Sequence, residues 1–175
     1  GFEARIVDPE SGAELGPGES GEIVLRGPAV TPGYWRRPQE TARALREGWL
    51  HTGDVGRRDA AGWYYVVDRI KDLIVASGYK VWPRDVEDAL FRHPAVREAS
   101  VVGVPDPYRG ETVRAYVSLR AGAAVTEAEL IAHCRAELAA YKAPREVVFV
   151  TEIPKTPSGK ALRRQLRGRG RAPGG

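Results

Sequence analysis

The sequence predicts an α+β protein in two parts, a β-rich part over residues 1–69 and a compact α+β domain over residues 70–175. Three observations carry this. Before Arg69, short apolar runs alternate with clusters of Gly, Pro and Ser, the pattern of strands and turns. After Arg69, strand-like runs interleave with segments of helical periodicity. Nowhere does an apolar run reach the roughly 20 residues of a membrane-spanning helix, so no span is expected.

The elements follow in order. FEARIVD (2–8) and GEIVLRG (21–27) are short strands joined by a Gly/Pro/Ser-rich link. Thr41 to Glu47 is predicted as a short helix stopped by Gly48. GWLHTGDVGRRD then leads through Ala60-Ala61-Gly62 into WYYVVDR as a hairpin. LIVAS is an apolar strand. Pro83 opens a helix to about Arg92, with Val86, Ala89 and Leu90 on one face, and Pro94 ends it. ASVVGV (99–104) reads as a buried strand. In TVRAYVSL (112–119), Val113, Ala115, Val117 and Leu119 share one face. Thr126 and Glu129 form a capping box before Leu130, Cys134 and Leu138 at helical spacing. EVVFV (146–150) is a further strand, and a short helix follows Lys160.

Composition narrows the function classes. The single cysteine, Cys134, excludes a disulfide framework and a cysteine metal site. It shares an apolar stripe and reads as core. His51, His93 and His133 lack metal-ligand spacing, so no metal site is assigned. The net charge is +4, with arginines crowded at Arg163, Arg164, Arg167, Arg169 and Arg171. Such a tail can bind nucleic acid. It lacks interleaved aromatics and any recognisable module, so it reads as a solvated, fraying end. The chain has no methionine and begins at Gly1. It is therefore expected to be a fragment, and cytoplasm is the expected compartment. Of 27 basic residues only five are lysines: Lys71, Lys80, Lys142, Lys155 and Lys160. Arginine does not replace lysine where a compact ammonium is needed, so these positions are of interest.

The most informative stretch is PKTPSGKALRR. Pro, Ser158 and Gly159 form a turn that presents Lys160, with arginines behind it. A lysine so held delivers a point charge into a cleft, or is simply exposed before a helix. It is no P-loop. That motif needs a Gly where Pro154 stands and a Ser or Thr where Ala161 stands. Asp54, after Thr52-Gly53, reads as a turn carboxylate. It either closes an Asx-type turn or accepts hydrogen bonds from a ribose. Gly78 in SGYKV marks either a strand-to-turn glycine or a close ligand approach. Lys142 in YKAP and the PDPYRGE loop (105–111) read as structure first.

GWLHTGDVG (48–56), VVDRIKDLIVASGYKVWPRDVE (66–87) and the Lys160 turn together resemble the carboxyl-terminal part of the acyl-CoA synthetases. That family belongs to the adenylate-forming superfamily, with luciferases and peptide-synthetase adenylation domains. The resemblance runs from GESGEIVLRGP to ALRR. It implies the family's small mobile C-terminal domain from residue 70, preceded by a β-rich remnant of its large N-terminal domain. It implies an AMP-forming ligase that joins a carboxylic acid, a fatty acid foremost, to CoA through an acyl-adenylate. ATP, AMP and CoA would be bound, with Mg²⁺ ligands expected outside this chain. Asp54 and Arg69 would hold the ribose, Lys160 would serve adenylation, and Lys71 would be the hinge. Gly78 would line the pantetheine path, and Lys80 would face either the CoA phosphates or solvent. Another adenylate-forming activity, a silent fragment and a basic nucleic-acid-binding module stay open. So do the acid's identity and the oligomeric state.

Overall fold

The computed structural model describes residues 1–157 and 159–168. Ser158 of the Lys160 turn, and Arg169 and Arg171 of the arginine-rich C-terminal sequence, lie outside the described residues. The contacts divide after Lys71 into two compact units, Gly1–Lys71 and a second beginning at Asp72.

In the first unit, strand β1 (Glu3–Val7) pairs antiparallel with β2 (Ser20–Arg26). Helix α1 spans Pro38–Ala44 and β3 spans Leu45–Arg46. This corrects the predicted helix over Thr41 to Glu47. Pro38 begins the helix earlier because its locked φ suits the first turn. Glu47 and Gly48 both take positive φ, 50° and 80°. They make the two-residue turn that pairs β3 with the long strand β4 (Trp49–Arg58). Strand β2 lies on one side of β4, while β3 and β5 (Tyr64–Arg69) share the other. Ile6, Val7, Ile23, Val24 and Val55 are its buried apolar residues. A 3₁₀ turn over Ile70–Asp72 leads onward.

In the second unit, β6 (Ile74–Ala76) and β7 (Tyr79–Val81) form a hairpin. Helix α2 (Pro83–Phe91) follows, then β8 (Val96–Asp106) and β9 (Gly110–Leu119). Helix α3 (Glu127–Glu137) starts at the predicted box: Glu129 N–H donates to Thr126 Oγ1 at 3.2 Å, and Thr126 N–H to Glu129 Oε2 at 2.8 Å. Strand β10 (Glu146–Phe149) runs parallel to β9, the other pairs being antiparallel. The short α4 (Arg163–Arg167) comes last.

The alternation of β9 decides the layering. Val113, Ala115 and Val117 enter one core with Val86 and Leu90 of α2 and Leu130 of α3. Tyr116 points the other way, into a smaller core with Val102, Val104, Ile153 and Leu166. Both faces of the sheet are covered, which is why β8 reads as a nearly continuous apolar run. Among the described residues, no helix is long and apolar enough to cross a membrane.

Candidate functional site

The TGD segment lies inside strand β4, not on the turn expected for it. Gly53 has φ +71°, and the β2 register shifts between Glu22 and Val24. A glycine supplies that left-handed geometry without Cβ strain. The bulge is held by a residue the sequence reading did not single out. Glu22 is buried at 6 % exposure, and its Oε1 accepts from Gly53 N–H at 3.0 Å. Its Oε2 accepts from His51 Nδ1–H at 2.7 Å. Thr52 Oγ1 donates to the Ile23 carbonyl at 2.7 Å and accepts from Asp54 N–H at 3.1 Å. The available signal was a glutamate set within an apolar strand, GEIVL.

Asp54 and Arg69 face each other across β4 and β5. Arg69 Nε reaches Asp54 Oδ1 at 2.9 Å, with Asp54 only partly exposed. The structure therefore brings these two together. The guanidinium holds the carboxylate in one orientation and leaves acceptor capacity on it. An open cavity of about 500 Å³ lies in this unit, lined by Glu22, His51, Thr52, Gly53, Arg69 and Lys71 among others. Lys71 sits in the 3₁₀ turn at the unit's end, exposed.

In the second unit, Lys160 occupies a closed turn. Thr156 N–H donates to the Lys160 carbonyl at 2.8 Å, and Gly159 N–H to the Thr156 carbonyl at 2.9 Å. Lys160 N–H donates to Thr156 Oγ1 at 3.1 Å. A bridge pairs Lys155 with Ala161 beneath it, and Leu162 N–H donates to the Pro154 carbonyl at 2.7 Å. The Lys160 residue itself is exposed.

Gly78 stands on a separate turn. With Ser77 it forms the two-residue β6–β7 connection, and both have positive φ, 53° and 81°. That is the hairpin chemistry a Ser-Gly pair supports. A Cβ at Gly78 would meet nothing within 4 Å, so the turn requires the glycine through its backbone, and its flank is open space. The PDPYRGE loop braces this turn. Ser77 N–H donates to the Arg109 carbonyl at 2.9 Å, and Glu111 Oε2 accepts from Val75 N–H at 3.0 Å. Lys80 lies on β7 opposite Val75, half-buried. Beside it, Tyr79 stacks on Tyr141 with ring centroids 4.7 Å apart. Lys142 donates to Asp85 at 2.6 Å, the structural role read for it. Among the described residues, no group of three or more His, Cys, Asp or Glu could hold a metal ion.

Comparison with known proteins finds relatives over most of this chain. Residues 1–35 match the model of the AMP-binding enzymes, and residues 85–160 match that of the AMP-binding enzyme C-terminal domain. The long-chain-fatty-acid–CoA ligase of Bacillus subtilis is 51% identical over 94% of this chain. The 2-succinylbenzoate–CoA ligase of Geobacillus kaustophilus is 46% identical over 95%. The ATP-bound crystal structure of MatB from Rhodopseudomonas palustris superposes with a TM-score of 0.90 at 38% identity, covering 95% of this chain. The chain spans 29%, 34% and 33% of those proteins respectively.

Proposed function

We infer that this chain, which belongs to the AMP-binding enzymes, forms part of an ATP-dependent acid–CoA ligase. A carboxylic acid attacks the α-phosphate of ATP, giving acyl-adenylate and releasing pyrophosphate. The CoA thiol then attacks the adenylate, giving the thioester and releasing AMP. The reading carries a cytoplasmic setting, where ATP and CoA are supplied.

The Asp54–Arg69 pair is the observation that carries the reading. A carboxylate fixed by a guanidinium on a glycine bulge suits two adjacent ribose hydroxyls, which need an acceptor that does not rotate away. Glu22 and His51 hold the backbone beneath it. Lys160 supplies charge for adenylation. Two anions meet in that step, and a positioned ammonium favours the transition state in which their charge gathers. Lys71 would absorb the backbone change between half-reactions. Gly78 and Lys80 would lie along the CoA arm, on the open flank of the β6–β7 turn. Among the described residues, no group of three or more His, Cys, Asp or Glu could hold Mg²⁺, and its ligands would lie outside them.

The test is Lys160→Ala in the intact ligase, with two assays. Pyrophosphate release from acid and ATP should fall about a hundred- to a thousandfold. Conversion of supplied acyl-adenylate and CoA to thioester should persist. An unchanged first half-reaction removes Lys160 from the chemistry. Absence of acyl-CoA formation from any carboxylic acid, with a folded enzyme, overturns the ligase reading.

A further inference from the structure

The arginines after Lys160 read in the sequence as a solvated tail, but Arg163 is not solvated. Its side chain is 18% exposed and points at two carboxylates. One terminal nitrogen, Nη2, donates to both oxygens of Glu87 at 2.9 Å. The other, Nη1, reaches Asp72 Oδ2 at 3.3 Å. Arg167 adds a contact to Asp72 Oδ1 at 3.2 Å. Glu87 is itself buried, and its Oε1 also accepts from Val101 N–H of β8 at 2.9 Å. Taking such charges out of water costs several kcal/mol per ion unless geometry and further hydrogen bonds compensate. A tail that only needed solubility would not carry that cost.

The elements that meet here are telling. Asp72 is the residue after Lys71, Glu87 lies on α2, Val101 on β8, and Arg163 is three residues beyond Lys160. The rest of the turn's base is pinned too. Leu166 is fully buried, and its carbonyl accepts from Tyr116 Oη at 2.9 Å. On the opposite leg Lys155 pairs with Glu98 of β8. A charged, buried base thus carries an exposed tip.

We propose that Arg163 is a positioning residue which, through Glu87 and Asp72, locks the Lys160 turn to the segment directly after Lys71. The proposal rests on the reading that Lys160 serves adenylation. The ammonium then reaches its place with the same geometry in every turnover, because its turn and the start of the second unit are one rigid piece. Small displacements of such groups are costly, about a hundredfold for roughly 1 Å.

The experiment compares Arg163→Lys, Glu87→Gln and Lys160→Ala in the intact ligase. Arg163→Lys keeps the charge and loses the planar fork that serves two carboxylates. Its kcat for pyrophosphate release should fall on the order of ten- to a hundredfold, with KM for ATP and the thioester step little changed. Glu87→Gln should do the same, and the double variant should be no worse than either alone, since both break one unit. Equal loss of both half-reactions overturns the proposal in favour of a purely structural role. Full adenylation by Arg163→Lys, while Lys160→Ala has lost it, also overturns it but leaves the ligase reading intact. Full adenylation by Lys160→Ala sinks both. A second measurement needs no catalysis. Hydrogen exchange of this chain should quicken at Thr156, Lys160 and Leu162 in Arg163→Lys, with β9 unchanged. Equal exchange at those three amides would overturn the lock.

Discussion

The two units are built on opposite principles. The first is a five-stranded sheet with five buried apolar residues among those described, while Trp35, Trp63, Tyr65 and Val66 stand exposed. Its order comes from polar ties: Glu22 to Gly53 and His51, Thr52 to Ile23, Asp54 to Arg69. The second is a sheet covered on both faces, with 22 buried apolar residues among those described and two cores. Its loops can be exposed because its centre is not. The difference teaches where each unit can place chemistry. The first holds a carboxylate within a strand, and the second mounts a lysine on a turn whose base is buried.

Separating the units is the strongest way to break this comparison. Residues 72–175 alone should fold and melt cooperatively, because their core lies within them. Residues 1–71 alone should not, because hydrogen bonds and ion pairs contribute little net stability without burial. Thermal melts followed by circular dichroism decide it. A cooperative transition from 1–71 alone would end the contrast.

The next effect separates the sites. In the proposed intact ligase, Asp54→Ala should weaken ATP dependence about ten- to a hundredfold, through loss of a charged acceptor worth about 1.5–3 kcal/mol. Gly78→Leu should spare adenylation and slow thioester formation from supplied adenylate. Because Gly78 has φ +81°, the control is Gly78→Ala, which carries the backbone strain without the bulk. If Ala and Leu slow the thioester step equally, strain explains the loss and the pantetheine path does not.

A smaller effect probes the larger core by pH. Burial pushes the Cys134 thiol up to about 11, with Glu137 adding to it. An unfolded thiol titrates near about 8.5. Below that value both states are protonated and the contribution is complete. Between about 8.5 and about 11 only the unfolded state ionises, so stability should fall as pH rises. The urea midpoint of the wild type should drop over this range relative to that of Cys134→Ala. Parallel pH profiles would contradict it.

Ser100 gives the smallest effect. Its hydroxyl is fully buried on β8 and has no hydrogen-bond partner among the described residues. Ser100→Ala removes a desolvated polar group and should raise stability by up to about 1 kcal/mol. A lower urea midpoint for the variant would show that the hydroxyl is satisfied in solution.

Local pattern by itself determined much of this protein. The capping box at Thr126 and Glu129, the helix opened by Pro83, the alternation of β9 and the hairpin after Gly62 were legible because each depends on neighbours a few residues away. The turn that carries Lys160 was legible for the same reason. Only tertiary structure decided the rest. It turned Leu45–Arg46 into a strand and set the TGD segment on a bulge within β4. It made Glu22 the anchor of that bulge across 31 residues, and it buried Arg163 against Glu87 across 76. A charged residue reads as surface until its partner is known, and a partner so distant along the chain leaves no periodicity or spacing to betray it.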